Sequence, residues 1–124
     1  MFELEFDQQE GLLKRRLWGF WSVDDVNNYV AQLDALIARI RIQNPNFQTL
    51  SDSAELAPQS AEVRAAMAES MKRICTANPG RVAIVVGSMI NKLQVDSIYP
   101  YPNVRAFRDE ESAREWLDQD RPRI

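Results

Sequence analysis

Apolar and polar positions alternate from the start of the chain. In FELEFD, residues 2–7, Phe2, Leu4 and Phe6 fall on one side and Glu3, Glu5 and Asp7 on the other. A period of two marks a strand with one face buried. QQEG (8–11) supplies a turn in which Gly11 is free to take positive φ, and LLKRRLW (12–18) returns as a second strand. With residue 7 opposite residue 12, Phe6 meets Leu13 and Phe2 meets Leu17. Glu5 then faces Lys14 and Glu3 faces Arg16, two expected cross-strand ion pairs. The same register sets Arg15 opposite Leu4 on the apolar side, from which its stem is expected to snorkel to the sheet edge.

Gly19 breaks the second strand. Ser22 is a good N-cap, and Asp24 and Asp25 load the first turn of a helix with negative charge. Val26, Tyr29, Val30, Leu33, Leu36, Ile37 and Ile40 recur at three and four residues, which predicts a helix over about 23–42. QNPN (43–46) stops it. FQTLSDS (47–53) reads as a short strand, too polar to be buried on both faces. After LAP comes a helix over about 60–76, with Ser60 at its cap and Val63, Met67, Met71 and Ile74 inward. NPG (78–80) ends it.

RVAIVVG (81–87) is a continuous apolar run and predicts a central parallel strand. Ser88 caps a short helix through about Val95, with Ile90 and Leu93 expected inward. YPYP (99–102) is an extended connector. NVRAFRD (103–109) is a further strand, also expected to be central, ending at an N-cap aspartate. EESAREWL (110–117) is the last helix, with Ala113, Trp116 and Leu117 inward. The expected fold class is α/β. A single mixed sheet, formed by an N-terminal hairpin followed by βα units, is packed by helices in one domain over 1–118, with a tail at 119–124.

Charge and composition then remove whole classes of function. The net charge is −3 and the pI is near 5.0, which argues against nucleic acid as a partner. No apolar run approaches the ~20 residues that cross a bilayer, and the acidic N-terminus does not read as a signal peptide. A single cysteine, Cys75, fits a reducing cytoplasm. There is no histidine, so Ser-His-Asp and Cys-His catalysis and most zinc sites are excluded. The four glycines, Gly11, Gly19, Gly80 and Gly87, are too scattered for a Gly-rich phosphate loop. Neither a metal nor a cofactor is expected.

Three stretches carry a resemblance: LWGFWSVDDVNNY (17–29), RVAIVVG (81–87) and NVRAFRDEESAREWL (103–117). A strand ending in glycine, a Trp-Ser helix start followed by acidic residues, and a terminal strand and helix with Phe107, Asp109, Ala113, Trp116 and Leu117 resemble the SpoIIAA-like, or STAS/SEC14-type, small bacterial proteins. The likeness covers about 2–118. It implies the fold of the anti-sigma-factor antagonist domain and a kinship with lipid-binding domains of the SEC14 type. The antagonist family carries an Asp-Ser-Ser-Gly box at the start of the helix after a central strand, where a serine is phosphorylated. Here that position falls on Ser60, Ala61, Glu62 and Val63, without the serine pair or the glycine. A phospho-switch by this route is therefore not expected.

Two groups of residues are candidates for function. Asp52, Ser53, Ser60, Ser88 and Asn91 stand near strand ends and helix starts, where open α/β sheets bind ligands. Each also has a plain structural use in capping or turns. Trp18, Phe20 and Trp21 crowd three aromatics into four residues, and an exposed one among them would serve as an interface. Met67 and Met71 are core residues by spacing, though soft side chains also line adaptable apolar pockets. The first expectation is a non-catalytic regulatory or protein-interaction module with a protein partner or self-association. The alternative is a carrier of a small apolar ligand or lipid, which a large apolar cavity would favour. An enzyme restricted to carboxylates and hydroxyls is the remaining class, and the expectation is that the chain is not one.

Overall fold

The computed structural model of the chain describes residues 1–120. The elements in order are β1 (Phe2–Asp7), β2 (Leu12–Gly19), α1 (Val23–Gln43), β3 (Gln48–Leu56), α2 (Ala61–Ala77), β4 (Val82–Val85), α3 (Met89–Ile98), β5 (Val104–Phe107) and α4 (Glu110–Asp118). They form an α/β domain around one five-stranded mixed sheet of order β1-β2-β3-β4-β5. The β1–β2 pair is antiparallel and the other pairs are parallel. Of the expected tail 119–124, Gln119 and Asp120 continue the last turn of α4 through bonds to the Glu115 and Leu117 carbonyls. Residues 121–124 lie outside the described residues.

The hairpin register is the expected one: Phe2 pairs Leu17, Leu4 pairs Arg15, Phe6 pairs Leu13, and Asp7 pairs Leu12. Gly11 takes φ +62° in the turn. The expected ion pairs Glu5–Lys14 and Glu3–Arg16 are not made among the described residues. Lys14 reaches diagonally to Asp7 at 3.9 Å instead. Arg16 turns toward the opposite neighbour strand and meets Glu55 at 3.3 Å. Both cations thus choose among several carboxylates at the surface, where one arrangement is worth little more than another.

Two strand expectations are corrected. β3, read as too polar for a strand buried on both faces, is the middle strand of the sheet, and Gln48, Thr49, Leu50 and Ser51 are all buried. Part of its polarity is satisfied internally. Gln48 Nε2 donates to the Leu117 carbonyl at 2.8 Å, and the Ser51 and Ser53 hydroxyls stand 3.4 Å apart. β5, read as central, is an edge strand of four residues.

The two faces of the sheet are covered unequally. On one, α1 and α2 bury Leu13, Leu17, Leu33, Ile37, Phe47 and Val63, together with Trp21 and Tyr29. A second cluster on that face joins Met71 of α2 to Val82, Ile84 and Val86, with Val95 and Tyr99 of the α3 region partly buried beside it. On the other face α4 packs Ala113, Trp116 and Leu117 against Leu12, Leu50, Ala83 and Val85. The expected inward stripe of α2 holds, with Val63, Met71 and Ile74 buried and Met67 packed partly against the core.

α3 departs from expectation. It has no buried residue at all, and Ile90 and Leu93, expected inward, are 69 % and 62 % exposed. Its inward side is formed by Asn91, Gln94, Val95 and Ile98, which line a cavity, while Val95 also packs partly against the cluster of Met71, Val82, Ile84 and Val86. A bond from the Ala106 N–H to Asp96 Oδ1 at 3.3 Å ties the helix to β5.

The turn after α2 depends on close backbone approach. A Cβ built on Gly80 would fall onto the carbonyl oxygen of Phe47, which is backbone and cannot swing aside. Gly80→Ala is expected to lower the unfolding free energy by about 1–3 kcal/mol, the usual scale for forced overpacking, measured by urea denaturation. An unchanged midpoint would show that the turn and the start of β3 separate without cost.

Candidate functional site

On the α1/α2 side of the sheet a cavity of about 400 Å³ opens between the sheet, α2 and α3. Register builds its floor. Arg15 of β2 pairs Ser51 of β3, and Ser51 pairs Ile84 of β4, so the three side chains stand in one row on one face. Leu17, Ser53 and Val86 line the next row. Met67, Ser70 and Met71 of α2 form one wall, and Asn91, Gln94, Val95, Ile98 and Tyr99 the other. Leu56 to Gln59 close the end at which β3 runs out. That end is the carboxyl side of the parallel strands, where α/β sheets commonly receive ligands. The volume lies in the range of small-molecule sites.

Arg15 is the residue that sequence reasoning misjudged. Its stem does not snorkel outward, because β2 is not an edge: β1 covers it on one side and β3 on the other. The residue is 5 % exposed and is one of those that line the cavity. Nη1 donates to Tyr29 Oη at 3.0 Å. Tyr29 is itself fixed by edge contacts with Phe2 and Trp21, at ring separations of 5.2 and 5.1 Å. Nε has no hydrogen-bond partner, and no carboxylate pairs with Arg15 among the described residues. Ser70, 2 % exposed on the α2 wall, also has an unpartnered hydroxyl. The signals were legible in part. Arg15 stood on the apolar side of its strand, and Ser70 interrupts the apolar stripe of α2 seven residues after Val63.

Of the five crevice candidates, Ser53 and Asn91 line this cavity and Asp52, Ser60 and Ser88 do not. Asp52 Oδ1 accepts the Ala54 N–H at 3.1 Å in a local turn. Ser88 Oγ accepts the Asn91 N–H at 3.1 Å and caps α3. Ser60 Oγ accepts the Val63 N–H at 3.3 Å and caps α2. Among the interface candidates Phe20 is 68 % exposed and Trp18 is half-buried under the Arg16 guanidinium. Trp21 must be withdrawn from that group: it is 1 % exposed, and its ring packs between Phe2 and Tyr29. Its indole N–H donates to the Trp18 carbonyl at 2.9 Å, which turns the ring inward at the strand end.

No protein-family model matches the sequence, and no curated protein does. Solved structures do match the fold. An uncharacterised protein of the DUF3478 family with a SpoIIAA-like fold, from Shewanella loihica, superposes with a TM-score of 0.72 at 18 % identity, over 94 % of this chain and 92 % of that one. The anti-sigma factor antagonist SpoIIAA in its unphosphorylated form gives 0.65 at 15 % identity, over 95 % and 98 %. The phosphorylated Bacillus cell fate determinant SpoIIAA gives 0.62 at 18 %, over 98 % and 100 %. The chain has the SpoIIAA-like fold. At these identities the likeness carries the architecture alone, so the site must be argued from this chain's own residues. In this SpoIIAA-like domain the position expected for the phosphorylated box is occupied by the α2 cap. Ser60→Ala is expected to destabilise by about 1 kcal/mol and Ser60→Gly by only a few tenths. Equal effects of the two in denaturant titrations would remove the capping role.

Burial shifts two titratable groups on the α2 and α3 side of the sheet, Cys75 and Tyr99. Burial pushes the Cys75 thiol from its ordinary 9.0 up to about 11, with the Arg15 charge pulling weakly the other way. Burial also raises the Tyr99 hydroxyl. Between pH 9 and 11 an unfolded chain has lost a Cys75 proton that the folded SpoIIAA-like domain keeps. Stability is therefore unaffected below that window and falls as pH rises through it, with Tyr99 adding in the same sense at higher pH. Unfolding midpoints measured from pH 8 to 11 are expected to fall less steeply in Cys75→Ala. Parallel slopes for the two proteins would show that the thiol is not desolvated.

Proposed function

We propose that this SpoIIAA-like domain is a non-catalytic binding module whose working part is the cavity between α2 and α3. The observation that carries the reading is the cavity itself: about 400 Å³, walled by Leu17, Leu56, Met67, Met71, Ile84 and Val86, in a chain of 124 residues. A small protein that leaves such apolar area unfilled forgoes stability unless a ligand covers it. The two methionines suit an adaptable apolar surface. A lining without aspartate, glutamate, histidine or lysine supports binding over acid–base chemistry. The reading favours a small apolar or amphiphilic ligand, held in the cytoplasm. No helix among the described residues is long and apolar enough to cross a membrane.

The regulatory, protein-interaction reading has its own support. α3 exposes Met89, Ile90 and Leu93 together, and Phe20 is exposed near the end of β2. Solved neighbours in fold include an anti-sigma factor antagonist. The two readings join if the ligand sets the posture of α3, whose outer face meets the partner.

N-phenyl-1-naphthylamine, a neutral fluorophore that brightens in apolar surroundings, tests the cavity. Binding with a dissociation constant of about 1–50 µM is expected. Met67→Trp, which fills space at the α2 wall, is expected to weaken it at least about tenfold while the protein still unfolds cooperatively. Absence of any fluorescence change on the folded wild-type protein would overturn the binding reading.

A further inference from the structure

We infer that Arg15, with Ser51 and Ser70 beside the same cavity and Tyr29 behind it, forms an oxyanion subsite, and that the ligand is a monoanionic amphiphile: one delocalised oxyanion on an apolar body. The inference rests on the proposed binding role and specifies the chemistry of its ligand.

A guanidinium stays charged at every pH a protein experiences, so its burial cannot be relieved by losing a proton. A buried charge that lacks an opposite charge is costly, and folded proteins carry one where something compensates it. Arg15 is 5 % exposed, and among the described residues its recorded bond is to the neutral Tyr29 hydroxyl. Its Nε donor remains unpartnered, as does the hydroxyl of Ser70, which is 2 % exposed on the facing helix. Two polar residues, each more than nine-tenths buried, therefore line the same cavity, and each keeps one buried polar atom without a hydrogen-bond partner among the described residues.

The surroundings select the sign and the size of the charge. The protein as a whole is acidic at −3, yet among the described residues no carboxylate lines the cavity, and a second cation, Arg64, stands in its exposed lining. An anion held in the cavity meets no like charge among the described lining residues. One buried guanidinium balances one negative charge, and its planar donors match the two oxygens of a carboxylate or a similar oxyanion. Ser51 is bonded only weakly, to Ser53 at 3.4 Å, and can turn its hydroxyl toward a ligand oxygen. Away from Arg15 the lining offers apolar contact from Leu17, Leu56, Met67, Met71, Val95 and Ile98, with Asn91 and Gln94 set among them on the α3 side. Head and body of the ligand are thus specified by different parts of one cavity.

The test compares decanoate, 1-decanol and decyl sulfate as competitors of N-phenyl-1-naphthylamine on the wild-type protein and on Arg15→Met. Decanoate is expected to bind at least about tenfold more tightly than decanol, the scale of a charge-assisted buried bond. Arg15→Met, which keeps the stem and removes the charge, is expected to abolish that preference and to leave decanol within about threefold of its wild-type affinity. Decyl sulfate matching decanoate supports a site for single oxyanions in general; weaker binding of the sulfate narrows the ligand to a carboxylate. Should Arg15→Met not fold, Ser70→Ala serves instead, with a loss of about threefold or more for decanoate and none for decanol. Equal affinity of decanoate and decanol for the wild-type protein overturns the oxyanion subsite while the apolar cavity stands. Failure of all three, and of the fluorophore, overturns the binding role itself.

Discussion

A guanidinium does not give up its charge, and in this chain one is set on an interior strand, on the face that the helices cover. Much of the architecture on that side is arranged around this constraint. Arg15 and Ser51 occupy adjacent places in one row of the sheet, which is polar where the floor beneath α4 on the other face is apolar. α1 and α2 close over Leu13, Leu17 and Val63, where the floor is apolar. α3 lies over this stretch with Val95 packed partly beside Ile84, is fastened to β5 through Asp96, and has no fully buried side chain. The cavity is the space between these two solutions. Tyr29, on the long helix, is placed to hold the guanidinium while its ring is packed by Phe2 and Trp21.

The parts of the fold that follow from local chemistry were legible in the sequence. The hairpin register could be read to the residue, because strict alternation from Phe2 to Phe6 and a glycine at position 11 admit one pairing. α1 could be read from its stripe and its Ser22–Asp25 capping box, in which Ser22 Oγ accepts the Asp25 N–H and Asp25 accepts the Ser22 N–H. The parts that depend on what lies across the sheet were not legible. β3 looked too polar to be central, since nothing local announces that Gln48 bonds to the carbonyl of Leu117, sixty-nine residues away. Ile90 and Leu93 looked inward because apolar spacing marks a face without saying what that face meets. Arg15 was expected to snorkel, and only the strand order shows that no edge lies within reach.

The candidate site was visible in outline alone. Ser53 and Asn91 were picked out from their places near a strand end and a helix start, and both line the cavity. The residues that give it chemical character sit inside regular elements: Arg15 reads as a snorkelling stem, Tyr29 as part of the α1 stripe, and Ser70 draws no reading of its own. Regular elements disguise function in this way: a polar residue in an apolar stripe looks like noise until its neighbour across the sheet is known.

The unequal ends of the sheet have a consequence for how copies of the protein meet. β1 forms one edge and carries Glu3 and Glu5 at alternate positions, and among the described residues neither forms an ion pair with the facing Arg16 or Lys14. β5 forms the other edge over only four residues and presents Arg105. A second chain docking β1 against β1 would stack carboxylates on carboxylates, and β5 offers a ladder too short to recruit a strand. Growth of a continuous sheet from molecule to molecule is disfavoured at both borders. Any association of this domain with its own kind is thereby steered to the helices.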